Sequence, residues 1–116
     1  MISGRFGRHV KLNSPEDFNR VFKQSIRFAG KNLTVLAANN HKDYSRLGTA
    51  IPKKIVRRAI DRNRIKRVIR ESFRVNQRSI AGYDVVVLAN KGVETKNNME
   101  LRNDLESHWV AISKKA

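Results

Sequence analysis

The feature that most constrains this chain is a long amphipathic stretch over residues 54–76. Ile65, Val68, Ile69, Ser72 and Phe73 recur at i, i+3, i+4, i+7 and i+8, the spacing that places side chains on one stripe of an α-helix. The same region carries Lys53, Lys54, Arg57, Arg58, Arg62, Arg64, Lys66, Arg67, Arg70, Arg74 and Arg78, eleven of the chain's 25 cations, opposed only by Asp61 and Glu71. At ~100° per residue, Asn63, Lys66, Arg67, Arg70 and Arg74 project away from the apolar stripe. Such a helix buries one side and presents cations on the other.

An ordinary solvated helix face interleaves both signs, so that i, i+4 pairs form; this one has almost no acids and repels itself unless a polyanion lies against it. Guanidinium groups fork onto phosphate oxygens, and release of condensed counterions drives the contact. The whole chain agrees: 25 Lys and Arg against 10 Asp and Glu give a net charge of +15, which points to nucleic acid as partner. An anionic membrane would also attract this charge, but no apolar run approaches the ~20 residues of a spanning helix. Arg5, Arg8, His9 and Lys11 interrupt the N-terminal stretch that a secretory signal would need, so the cytoplasm is the expected compartment. There is no cysteine, hence no disulfide or thiolate site. His9, His41 and His108 lie far apart without helical ligand spacing, so a protein-held metal centre is not expected.

The remaining pattern supplies partners for the helix. With 116 residues, 40% of them hydrophobic, the chain suits one domain over 1–116, with residues 1–13 as a basic N-terminal arm. Ser14-Pro15-Glu16-Asp17 is a helix start, with a capping hydroxyl, proline at the first helical position and two acids at the positive end of the dipole. The helix should cover about 15–25, with Phe18, Val21 and Phe22 on one face. Residues 33–38 and 46–51 read as strands that pair as a hairpin across the polar turn at 39–45, and Pro52 ends the second. Val85, Val86, Val87 and Leu88 form a continuous apolar run, expected of a central strand over 83–89. A loop at 91–96 precedes a last helix over 99–113, with Leu101, Leu105, Trp109 and Ile112 on its stripe and Trp109 in the core. This order, helix, two or three strands, helix, strand, helix, makes an α+β layer with helices against a sheet.

Arg62-Asn63-Arg64-Ile65-Lys66-Arg67-Val68-Ile69-Arg70-Glu71-Ser72-Phe73 closely resembles the signature helix of the bacterial ribonuclease P protein family. The likeness extends through Asp17-Phe18, Val21-Phe22, Arg46-Leu47-Gly48, Pro52-Lys53-Lys54 and Asp84-Val85-Val86-Val87, covering about residues 12–112. It implies a two-layer α-β sandwich in αβββαβα order, a four-stranded sheet and a left-handed βαβ crossover around the signature helix, against the usual right-handed preference. It also implies a protein subunit that binds a catalytic RNA, one to one, and the 5′ leader of precursor tRNA. Carried over by position, Arg62, Asn63, Arg64, Lys66, Arg67 and Arg70 contact RNA, with Lys53 and Lys54 beside them; Arg57, Arg58 and Arg74 join on charge. Phe18 and Phe22 line a leader cleft, where an unpaired base stacked on an aromatic gains ~1–3 kcal/mol with little sequence preference. Two aromatics at i and i+4 fit a pair of core anchors equally well. Relatives often carry an aromatic on the second strand; Leu33-Thr34-Val35-Leu36 has none, so apolar contact is expected there. Asn63 would lie near RNA and metal in the family, or is simply a neutral surface amide.

A protein nuclease needs paired carboxylates for metals, or a general base beside a cationic stabiliser. Asp61, Glu71 and Asp84 are scattered, so no catalytic residue is expected in the protein. The resemblance assigns the cleavage to the RNA, with Mg²⁺ held mainly by RNA phosphates. Two rivals share the charge and size: a structural RNA-binding module such as a small ribosomal protein, and a metal-dependent protein nuclease.

Overall fold

The computed structural model describes residues 11, 12 and 14–115; of the expected basic arm over 1–13, only Lys11 and Leu12 lie within them. Helix α1 (Pro15–Gln24) is followed by strands β1 (Ile26–Phe28), β2 (Leu33–Asn39) and β3 (Arg46–Ala50). Helix α2 (Ala59–Asn76), strand β4 (Tyr83–Ala89), a 3-10 turn (Val93–Thr95) and helix α3 (Asn98–Ser113) complete the order. The four strands form one mixed sheet in the order β1-β2-β4-β3, giving the αβββαβα sandwich.

One face of the sheet carries the main core. Leu33, Val35, Ala37, Leu47, Val85 and Val87 meet the expected stripe of α2, Ile65, Val68, Ile69 and Phe73, and that of α3, Leu101, Leu105, Trp109 and Ile112. Trp109 stands edge-on to Phe73 and donates its indole N–H to Ser72 Oγ at 2.9 Å, so Ser72 belongs to the buried stripe as a polar partner. Helix α3 is tied to the start of β2 by Asp104, which accepts from the backbone N–H of Asn32 and Leu33 (3.1 and 2.9 Å), and by His108 Nε2, 2.7 Å from Leu33 O. A reciprocal capping box between Asn97 and Glu100 starts the helix. The opposite face of the sheet is covered in part by α1, with Leu12, Val21, Leu36, Ala38 and Val86 buried and Phe18, Ala50 and Leu88 packed against them.

The expected hairpin does not form. β4 lies between β2 and β3, antiparallel to the first and parallel to the second. β4 supplies the partner instead: its Val85, Val86 and Val87 are buried in the core on both faces, in the central position expected of that apolar run, and β2 and β3 pair along its two edges. The parallel register also sets Arg46 opposite Asp84. The second departure is the start of α2, expected at 54 and observed at Ala59. Pro52 O accepts from the N–H of Ile55 and Val56, both at 3.0 Å, closing a turn that drives Val56 into the core. Arg57 and Arg58 consequently stand on this turn rather than on the helix.

Asp84 is the knot of the fold. Its side chain is fully buried, yet it meets two guanidinium groups. Arg46 bonds it through Nε at 2.8 Å and Nη2 at 2.6 Å, Arg20 of α1 bonds it directly, and Asn40 donates at 2.9 Å. Arg46 also reaches Asp17 on α1 at 3.4 Å, and Arg20 donates to Asn39 O at 3.1 Å. Burial by itself pushes the Asp84 carboxyl upward, but hydrogen bonds from Arg46 and Asn40 and the charges of Arg46 and Arg20 outweigh it and hold its pKa below the usual value. The Arg46 guanidinium is raised in turn, first through its hydrogen bond to Asp84.

Asp84→Asn leaves two guanidinium groups facing a neutral amide and should cost about 3 kcal/mol at pH 7, measured by urea unfolding. With a folded pKa below the unfolded one, the carboxylate's contribution is complete above ~3.9, the unfolded value, and fades as pH falls through the folded one. The stabilities of wild type and D84N should therefore approach each other below about pH 4. Equal stability at pH 7 would remove the clamp from the fold.

Candidate nucleic-acid interface

Nine of the eleven basic residues of the 53–78 region separate into three groups. Asn63, Arg67, Arg70 and Arg74 are exposed along the outer ridge of α2, and Lys53, Lys54, Arg57 and Arg58 are exposed on the turn before it. Among the described residues, Asp17 and Asp84 form ion pairs with Arg20 and Arg46, and Asp104 lies 3.9 Å from His108 Nε2; Arg67, Arg70 and Lys66 pair with none of these acids. The third group is committed to the fold. Arg62 turns back to donate to Val56 O at 3.0 Å and Arg57 O at 2.8 Å, so it holds the cation-bearing turn in place. Arg64 donates to Asn98 Oδ1 at 2.8 Å and Glu94 O at 3.1 Å, tying α2 to the start of α3. Both are half-buried. Helical spacing leaves both off the outer face, the family resemblance counts them among the RNA contacts, and their hydrogen bonds turn them toward the fold.

Lys66 is half-buried at the border between the ridge and the sheet. With Arg70 it forms one wall of a groove of about 270 Å³, otherwise lined by Lys11, Leu12, Phe18, Leu47, Gly48 and Thr49. The groove runs between α1 and the edge strand β3. Leu12 reaches it because its N–H bonds Leu47 O at 2.9 Å, where Lys11 forms a single parallel bridge with Leu47. Phe18 packs on the core cluster beneath α1 and also lines the groove. Phe22 is 51% exposed and is no core anchor; it lies outside the residues lining the groove. Lys11, Leu12, Leu47, Gly48 and Thr49 complete the groove; none was named as a site residue from sequence, although Leu47 and Gly48 stand in a segment that carries the resemblance. The one local hint is a glycine within a strand, which often marks a close approach.

This arrangement suits a single-stranded polyanion. Cations on one wall can take phosphates, and an apolar floor with an aromatic ring can take an unstacked base. It offers little to acid–base chemistry. Asp84 is held ionised by two arginines, and His108 is buried against Leu33 O. Among the described residues, no three His, Asp or Glu side chains lie close enough to share a metal ion.

Residues 6–113 match the family model described as Ribonuclease P. The chain is 44% identical over 109 residues to the ribonuclease P protein component of Nitrosococcus oceani, covering 94% of this chain and 92% of that protein. Its fold is similar to the ribonuclease P protein of Staphylococcus aureus, with a TM-score of 0.80 at 33% identity, covering 90% of this chain and 95% of that one. The Thermotoga maritima ribonuclease P protein superposes with a TM-score of 0.76 at 32% identity, over 85% and 94% of the two chains. The cation ridge, the αβββαβα fold and these likenesses converge: the chain belongs to the ribonuclease P protein family, the protein components of a tRNA-processing ribonucleoprotein.

Proposed function

We propose that this chain, acting as one domain in the cytoplasm, binds the catalytic RNA of ribonuclease P one to one and helps it remove the 5′ leader of precursor tRNA. The α2 ridge, Asn63, Arg67, Arg70 and Arg74, and the turn bearing Lys53, Lys54, Arg57 and Arg58 lie against the catalytic RNA. Arg62 and Arg64 hold these two surfaces in register and keep further N–H donors for phosphate. The leader enters the groove beside Phe18, with Phe22 at the outer side of α1. The observation that carries this reading is a junction: Lys66 and Arg70 belong at once to the ridge and to the wall of a groove lined by an aromatic ring.

The reaction is Mg²⁺-dependent in this reading, with the ion held by RNA phosphates. The residues of this chain do not fit it, because Mg²⁺ takes oxygen ligands and the interface is cationic. What the protein contributes is positional and electrostatic. It lowers the repulsion between two RNAs, holds the leader in line, and excludes one wall of the groove from water.

Given the cognate catalytic RNA, precursor tRNA carrying a leader should bind the holoenzyme more tightly than tRNA without one; equal affinities would favour a structural RNA-binding module. Pure protein with Mg²⁺ should leave precursor tRNA intact, and cleavage without RNA would establish a protein nuclease. Arg67→Ala and Arg70→Ala should each reduce the salt slope of catalytic-RNA binding by ~1 at unchanged thermal stability. Arg62→Ala should weaken binding and also lower stability by about 1 kcal/mol, through two lost backbone hydrogen bonds. An unchanged slope would take Arg67 or Arg70 out of the interface.

A further inference from the structure

Gly48 sits in the middle of the edge strand β3, where a glycine weakens a strand and supplies nothing to pack. Backbone conformation is not the reason for it: among the described residues the left-handed glycines are Gly82 and Gly92, and Gly48 is not one of them. Space is the reason. A Cβ at this position would lie 2.6 Å from Cζ and 2.9 Å from Cε1 of Phe18, and 3.4 Å from Cβ of Leu12. Carbon atoms in contact rest about 3.5–4.0 Å apart, so any side chain here forces the ring off the strand by about 1 Å.

The ring has few places to go. Helix α1 is pinned to the sheet two residues further on by Arg20 and Asp84, and the neighbouring Val21 is fully buried. The yielding direction is the groove, which Phe18 and Gly48 both line opposite Lys66 and Arg70. We propose that Gly48 is a positioning residue for the substrate: by lacking a side chain it lets Phe18 settle onto β3, and that depth sets the opening through which one unstacked nucleotide of the leader enters. The inference rests on the leader-groove reading above and adds to it the element that fixes the groove's width. A single atom at residue 48 thus acts through Phe18 on the selection of leader-bearing substrate.

The test compares holoenzymes reconstituted with wild-type and G48A protein, reading the ratio of affinities for leader-bearing and leaderless tRNA. Wild type should give a ratio above one, and G48A should lower that preference by about fivefold or more, the low end of what losing one stacked base produces. A uniform loss on both substrates, with the ratio unchanged, overturns the inference while leaving the leader reading intact. A wild-type ratio of one defeats the leader reading itself, and this inference with it. Thermal unfolding of the protein supplies the second readout. Phe18→Leu removes the Cε and Cζ atoms, so it should lower Tm in the wild-type background and raise it in the G48A background, a coupling of opposite signs. An equal decrease in both backgrounds overturns the seat. Should G48A fail to fold, recovery of a cooperative transition in F18L/G48A supports the seat, and no recovery overturns it.

Discussion

A fully buried carboxylate, Asp84, holds the architecture together. It lies on the strand that separates β2 from β3, and its two guanidinium partners come from different elements, Arg46 from β3 and Arg20 from α1. A lone buried carboxylate would cost several kcal/mol in desolvation, and a single ion pair barely recovers that cost. Here two cations and the Asn40 amide saturate its lone pairs, and the depressed pKa records that the balance favours the ionised form. The clamp therefore specifies geometry as well as adding stability. It fixes the parallel register of β3 on β4 and lays α1 across one face of the sheet, and the groove follows from those two placements.

The same scarcity of acids shapes the interface. With 10 acidic residues against 25 basic ones, an acid used inside the fold is unavailable to neutralise the surface. Asp17, Asp84 and Asp104 are occupied by Arg20, Arg46, His108 and backbone amides at the α1 and α3 contacts. Among the described residues, the ridge of α2 is left with Arg67 and Arg70 outside any ion pair. Internal satisfaction and external excess charge are two outcomes of one distribution.

Much of this was legible because it is periodic or local. The stripe Ile65, Val68, Ile69, Ser72 and Phe73 identified the buried side of α2, Ser14-Pro15 the start of α1, and the valines of β4 its central place. What escaped is what depends on distant partners. Residues 33–38 and 46–51 each read as strands, but both pair with β4, some forty residues downstream; proximity along the chain suggested a hairpin instead. The late start of α2 depends on Val56 finding the core. Charge type placed Arg62 and Arg64 with Arg67 and Arg70, yet the turn carbonyls and Asn98 draw the first two inward. The groove is the least legible part, since one wall is α2, another is α1, and Leu12 is recruited by a single backbone bond to Leu47.

Charge placement also makes folding and assembly respond to salt in opposite ways. Cations along the exposed α2 ridge repel one another, and mobile ions with a screening length of ~8 Å at physiological ionic strength relieve that repulsion in the free protein. The same ions compete with the ridge for phosphates, so what eases folding weakens docking. A polyanion lying along the ridge would remove the repulsion more completely than diffuse ions do, since any ligand that binds only the folded state stabilises it by mass action. Asp84 lies outside this exchange, because a fully buried, hydrogen-bonded pair is screened little by bulk ions. The fold thus keeps a salt-insensitive knot under α1 and a salt-sensitive ridge on α2, with the groove between them bounded by both. The groove's wall has its position fixed by the first and its charge supplied by the second.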